Sequence, residues 1–85
     1  MRRYKRSRLI GRLVHVDHDR RIGTIRLADG SSTEWACYFA RSITGERLRQ
    51  AEAWPVLVAT ATWHHERVEF TISDVKPIDS VGLAR

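Results

Sequence analysis

The chain has 85 residues and a formal net charge of +5, from 15 lysines and arginines against 10 aspartates and glutamates. This length fits one small domain, and the hydrophobic share of 42% supplies a thin core and argues against a disordered chain. No apolar run approaches the roughly 20 residues of a membrane-spanning helix, and the single cysteine, Cys37, forms no internal disulfide. We therefore expect a cytoplasmic protein with no membrane partner.

The positive charge is concentrated at the N-terminus. Five basic residues fall within the first eight positions with no acid among them: Arg2, Arg3, Lys5, Arg6 and Arg8. The remaining positions hold 10 basic and 10 acidic residues and are formally neutral. We therefore predict a basic arm at 1–8, a barrel domain at 9–77 and a tail at 78–85, and we expect the arm to contact phosphate backbones. A solvated tail that aids solubility is the alternative.

Five predicted strands account for most of the chain. β-branched runs and apolar alternation place them at 10–16, 22–27, 33–40, 56–63 and 67–75. Asp29 and Gly30 predict a hairpin turn between the second and third strands, because glycine accepts the positive φ of such turns. In the last strand, alternation predicts that Val68, Phe70 and Ile72 point inward.

A short helix is predicted between the third and fourth strands. Thr44 suits its N-cap, Leu48 and Ala51 follow at helical spacing, and Pro55 ends it. Three strands, a helix and two strands are the plan of the OB-fold, an all-β, five-stranded Greek-key barrel. An SH3-like barrel is the alternative, although its corresponding connection is usually a single turn.

The residues of the fourth strand and the three tryptophans indicate which side chains face the barrel interior and which are exposed. Ala59 and Ala61 alternate with threonines, and small residues suit the inner face of a tight barrel. Trp54 is expected to cover an open end of the barrel. Trp35 and Trp63 border polar turns or strand ends, so we expect these two tryptophans to be exposed.

The segment Gly11–Ile25 resembles the opening of the cold-shock domain. It aligns without a gap to the family pattern Gly-x-Val-x-Trp-Phe-Asn-x-x-Lys-Gly-Tyr/Phe-Gly-Phe-Ile. Gly11, Gly23 and Ile25 match outright, and the chain has residues similar in kind at three further positions: Leu13, Asp17 and Arg20. The segments 39–46 and 72–77 are similar to the family's stretch after its third strand and to its last strand. The resemblance covers residues 9–77.

The resemblance implies an OB barrel that stacks bases of single-stranded nucleic acid on exposed aromatic side chains. This chain departs from the family there, since it has His15 and Val16 on the first strand, and Ile22 and Thr24 on the second. Tyr38 on the third strand is an aromatic candidate for stacking. Arginines near the first hairpin can bind phosphate or stack on bases. The predicted nucleic-acid-binding residues are Arg2, Arg3, Lys5, Arg6, Arg8, Arg12, His15, Arg20, Arg21, Ile22, Thr24, Arg26 and Tyr38.

We therefore expect a non-catalytic module that binds single-stranded RNA or DNA. The alternative is a protein-binding module, such as a small subunit, adaptor or inhibitor, that uses Trp35 or Trp63 of an OB barrel. The sequence has no paired carboxylates at useful spacing, no phosphate-binding glycine loop and no zinc-type ligand set, so we expect no enzyme activity, metal or cofactor. Cys37 lies within a predicted strand, where we expect a buried small hydrophobe rather than a nucleophile.

Overall fold

The computed structural model describes residues 4–67 and 69–78. Its elements are β1 (Tyr4–Asp17), β2 (Ile22–Leu27), β3 (Glu34–Phe39), α1 (Gly45–Glu52), β4 (Leu57–His64) and β5 (Glu69–Pro77). The strands close into a barrel in the order β1-β2-β3-β5-β4, and β4 pairs back onto β1. The β3–β5 pair is parallel and the other four pairs are antiparallel. This arrangement, with α1 between β3 and β4, is the predicted OB-fold barrel.

The first strand begins earlier than the sequence pattern predicts. β1 starts at Tyr4 instead of Ile10, and its first half pairs with β4 from Tyr4 opposite His64 to Gly11 opposite Leu57. Lys5, Arg6 and Arg8 of the predicted arm therefore lie in the barrel wall, whereas Arg2 and Arg3 lie outside the described residues. The pattern missed this extension because a strand needs apolar residues on its inner face only, and charged residues can occupy the outer face.

The core combines inward side chains of the strands with one face of α1. The buried hydrophobic residues include Leu13, Ile25, Phe39, Leu48, Ala51, Leu57, Ala59, Ala61, Phe70, Ile72 and Val75. Ala59 and Ala61 have no exposed surface, as predicted for the inner face of a tight barrel. Thr44 is the N-cap of α1 as predicted, because its hydroxyl accepts the main-chain N–H of Arg47 at 3.0 Å.

A glycine allows β1 and β2 to approach each other closely. A Cβ atom on Gly23 would lie 2.4 Å from the carbonyl oxygen of His15 and 2.8 Å from the ring of Phe39. The Phe39 ring therefore occupies the space that any larger residue would need at position 23. The contact between Phe39 and Gly23 therefore fixes the position of β2 against the core.

Side chains of β5 alternate between the core and the outside as predicted up to Phe70 and Ile72, and the alternation changes after Ile72. Ile72 pairs with Ala61 but Asp74 pairs with Thr60, so Ser73 is an extra residue in the strand. Such a β-bulge reverses the alternation after it, which explains why Val75 is buried. Val68, which was also predicted to point inward, lies outside the described residues.

Three aromatic residues pack together where β3 and β5 begin and β4 ends. The Phe70 ring centroid lies 4.8 Å from that of Trp35 and 4.7 Å from that of Trp63. Trp35 keeps 36% of its surface exposed, as predicted, whereas Trp63 is only partly exposed and packs against the core. Trp54 also packs against the core, with the Arg47 guanidinium 4.8 Å from its ring centroid.

α1 spans eight residues. Within the described part of the chain, no helix has both the length and the apolar character needed to cross a bilayer.

Candidate nucleic-acid interface

A shallow groove of about 270 Å³ crosses the outer face of β1, β2 and β3. Its lining residues are His15, Asp17, Ile22, Gly23, Thr24, Ala36, Cys37 and Tyr38. The strand register explains the grouping, since His15, Thr24 and Ala36 lie side by side across the three strands. Four of the predicted site residues, His15, Ile22, Thr24 and Tyr38, therefore meet in this groove.

A β-bulge brings His15 to the outer face. Leu13 pairs with Ile25, which points into the core, whereas His15 pairs with Thr24, which points outward. Val14 is the extra residue between them, and it reverses the alternation along β1. Without the bulge, His15 would follow Leu13 onto the inner face. Its ring is exposed and is available for stacking or hydrogen bonding.

Tyr38 supplies the aromatic surface of the groove. It is 48% exposed and lies opposite Ile22 in the β2–β3 ladder. Bases stack on exposed aromatic rings with an affinity contribution of about 1–3 kcal/mol per base. Among the described residues that line the groove, Tyr38 is the largest platform of this kind.

The outer face of β1 carries a row of arginines beside the groove. We call Arg6, Arg8 and Arg12 the β1 arginine row; alternate residues of a strand share a face, and Ile10 completes this one. All three arginines are exposed, and no carboxylate of the described residues lies within ion-pair distance of their guanidinium groups. The structure thus joins two residues predicted for an arm and one predicted for a hairpin into a single basic surface.

Arg26 extends this surface towards β3 but is partly neutralised. It lies opposite Arg12 in the β1–β2 ladder, and its guanidinium contacts the Glu34 carboxylate at 2.7 Å. Glu34 therefore offsets the repulsion between two adjacent arginines. Both partners are exposed, and ion pairs of this kind contribute at most about 1 kcal/mol, so phosphate can compete for Arg26.

The two arginines predicted to bind phosphate at the first turn have different environments. The Arg21 guanidinium is partly buried and donates hydrogen bonds to the carbonyl oxygens of Phe39 at 3.3 Å, Ala40 at 2.7 Å and Ile43. Arg21 thus holds the segment between β3 and α1 against the turn. Arg20 is exposed, and its side chain makes no ion pair among the described residues. Of these two arginines, Arg20 is the one whose guanidinium is not engaged by main-chain carbonyls of the described residues.

The turn between β1 and β2 is held in place at the end of the groove. The Asp17 carboxylate accepts the main-chain N–H groups of Asp19 and Arg20, both at 3.1 Å. His18 Nε2 lies 2.8 Å from a carboxylate oxygen of Glu52, which ties the turn to α1. Asp17 also lines the groove, so the end near Tyr38 disfavours phosphate and favours the uncharged face of a base.

Cys37 lies beneath the groove as an inert thiol. It is 2% exposed, and its sulfur lies 3.6 Å from the carbonyl oxygen of Gly23. Burial raises the pKa of Cys37 to about 12, which keeps the thiol neutral near pH 7. A neutral, buried thiol is a poor nucleophile, as expected for a small core hydrophobe. Within the described ranges, no three histidine, cysteine or acidic side chains are grouped as metal ligands.

Comparisons of the chain with protein-family models, with curated proteins and with solved structures give no significant match.

Proposed function

We propose that this chain is a non-catalytic module that binds single-stranded RNA or DNA in the manner of a divergent cold-shock-like OB barrel. The observation that supports it most is the β1 arginine row, whose three cations have no ion-pair partner among the described residues and lead into a groove containing an exposed tyrosine. OB-folds characteristically bind oligonucleotides on the face of strands 2 and 3, which is where this groove lies. The proposal includes a cytoplasmic location, which the free thiol of Cys37 favours.

Charged side chains give this surface one region that attracts the phosphates of a strand and another that favours its bases. Arg6, Arg8 and Arg12 attract the phosphate backbone, whereas Asp17 at the far end of the groove repels it. Bases consequently enter the groove, where Tyr38 offers a stacking surface next to apolar Ile22. Stacking needs a free base face, which a duplex does not present, so the ligand is a single strand.

The affinity is expected to depend mainly on charge. The departures from cold-shock aromatics at His15, Val16, Ile22 and Thr24 leave fewer stacking platforms, each worth about 1–3 kcal/mol. Phosphate contacts recognise no sequence, so we expect weak sequence preference and strong salt dependence.

Fluorescence anisotropy with a labelled oligonucleotide of about 12 nucleotides, within the range that OB-folds cover, tests the proposal. Single-stranded RNA, single-stranded DNA and a duplex are compared at about 50 and 200 mM salt. We expect single strands to bind more tightly than the duplex and to weaken strongly at the higher salt. Absence of single-strand binding even at the lower salt would refute the proposal.

Variants of Tyr38 separate base stacking from charge. Tyr38→Ala is expected to weaken single-strand binding about 5- to 150-fold, the equivalent of about 1–3 kcal/mol. Tyr38→Phe keeps the ring and is the matched control, with binding close to that of the unmodified chain. Equal losses in both variants would mean that the phenol hydroxyl, rather than stacking, carries the contact.

A protein-binding module is the second candidate, and the exposure of Trp35 favours it. Its ring remains 36% exposed at the barrel end, where Trp63 and Phe70 pack nearby. Exposed tryptophan is common at the centre of protein interfaces. This candidate predicts no single-strand binding in the anisotropy experiment, and a shift of tryptophan fluorescence on partner binding that Trp35→Phe removes.

A further inference from the structure

A second pocket lies on the outer wall, on the opposite side of β1 from the groove. It has a volume of about 140 Å³ and is lined by Arg8, Val58, Thr60, Asp74 and Lys76. These residues come from three adjacent strands, β1, β4 and β5. Arg8 belongs both to this pocket and to the β1 arginine row, so the two basic surfaces are continuous.

The bulge in β5 creates this pocket. Because Ser73 is an extra residue, Asp74 pairs with Thr60 and Lys76 pairs with Val58. Their side chains therefore point outward, although regular alternation from buried Ile72 would have placed both on the inner face. Bulges commonly redirect side chains at functional sites, and the bulge at Val14 does the same for His15 in the groove.

The pocket holds two cations, one carboxylate and a hydroxyl. No ion pair within the described ranges involves Arg8, Lys76 or Asp74. Their formal charges leave a net charge of +1, and the Thr60 hydroxyl is available to donate a hydrogen bond to an anion. This net charge attracts a phosphate of the strand, and the Asp74 carboxylate weakens the attraction that Arg8 and Lys76 would exert without it.

We propose that this pocket binds an internal phosphodiester of the nucleic-acid strand. The inference rests on the proposed function and extends it. A strand that enters the groove at Tyr38 and follows the β1 arginine row crosses β2, β1 and β4 to reach Lys76 on β5, which is the longer way around a barrel in which β3 and β5 also pair. Neighbouring strands lie about 4.8 Å apart, so these four steps give a path of roughly 19 Å around the barrel.

Lys76→Gln tests the path with two lengths of single-stranded oligonucleotide, one of about 12 nucleotides and one dinucleotide. Removing one phosphate contact lowers the salt slope of log K by about 0.7, which corresponds to about 5-fold weaker binding of the long oligonucleotide at 0.1 M salt. We expect no such loss for the short one, which occupies the groove and does not reach β5. Arg49→Gln is the matched control, because it removes one exposed cation from α1.

Asp74→Asn tests the same pocket by a change of opposite sign, because it removes a negative charge instead of a positive one. The substitution raises the net charge of the pocket, so we expect tighter binding of the long oligonucleotide. Weaker binding of the long oligonucleotide by this variant would contradict the pocket. Competition by inorganic phosphate against the unmodified chain that is lost in Lys76→Gln would mean a pocket for free phosphate and would overturn the proposal.

The outcomes distinguish this proposal from the one on which it rests. If the unmodified chain binds no oligonucleotide, the proposed function fails. If it binds the long oligonucleotide and Lys76→Gln behaves like Arg49→Gln, the pocket proposal is refuted and the proposed function stands. Both lysine and aspartate are exposed, and unchanged thermal unfolding of each variant confirms that the barrel is intact.

Discussion

Replacing the β1 arginine row with glutamine tests the electrostatic part of the proposed function. Arg6, Arg8 and Arg12 are exposed and unpaired among the described residues, so each is available for one phosphate contact. On a single strand each contact contributes about 0.7 to the slope of log K against log salt, so the triple variant should lose about 2 from that slope. Relative to 1 M salt, where screening is nearly complete, this is about a 100-fold loss of affinity at 0.1 M.

The assay is an anisotropy titration of a labelled single strand across a series of salt concentrations. The control variant, Arg41→Gln with Arg49→Gln, removes exposed charge at the α1 end of the barrel. The control should change the slope little, because charges farther from the strand than about 10 Å are largely screened at 0.1 M salt. Equal slope changes per removed charge in both variants would refute a localised phosphate path along β1.

Three further predictions concern residues beneath and beside the groove. Arg21→Gln should lower the free energy of unfolding by about 2–4 kcal/mol, because it leaves several main-chain carbonyls without their charged donor. Arg20→Gln is the control and should leave this free energy unchanged. Chemical denaturation of both variants measures the difference. Gly23→Ala should cost about 1–3 kcal/mol of unfolding free energy from the clash with its neighbours, and a melting temperature equal to that of the unmodified chain would contradict it. The raised pKa of Cys37 means that its contribution to stability is present below about pH 9 and is lost as the pH rises towards about 12, with a limiting slope of about 1.4 kcal/mol per pH unit. Cys37→Ala should lack this component of the alkaline decline in denaturation experiments.

The order of elements and the inner face follow from local patterns. β-branched alternation identifies β2 and most of β5, and Thr44 with Leu48 identifies the helix. Small residues such as Ala59 and Ala61 predict a tight inner face, which the barrel confirms. These features depend on residues within a few positions of one another, so they can be predicted from a single sequence.

The arrangement of the outer face depends on the bulges and on strand pairing, which are less visible in the sequence. The bulge at Val14 places His15 in the groove, and the bulge at Ser73 places Lys76 beside Arg8. No single residue type marks a bulge, so regular alternation predicts the wrong face after each one. The alternation of Arg6 and Arg8 with Ser7 and Leu9 was a usable sign that β1 starts early, but a basic run is also typical of a solvated tail.

Arg21 shows a second limit of prediction from sequence, which is that contacts between distant residues are not visible in it. Its sequence neighbourhood, a polar turn in a hairpin, is the same as that of Arg20, and both suit phosphate binding. Only the fold brings the carbonyl oxygens of Phe39, Ala40 and Ile43 to the Arg21 guanidinium. A contact of this kind joins residues about 20 positions apart, so the local sequence around Arg21 does not predict it.

A titration of the isotopically labelled chain with single-stranded RNA, followed by amide NMR shifts, shows which surface of the barrel contacts the strand. We predict shifts concentrated on the outer residues of the barrel wall, at Arg12, Thr24, Tyr38 and Lys76, with little change at Arg49 on α1. These shifts should diminish as salt is raised. Shifts confined to the barrel end around Trp35 and Trp63, or no shifts at low salt, would contradict binding of a single strand along the outer wall of the barrel.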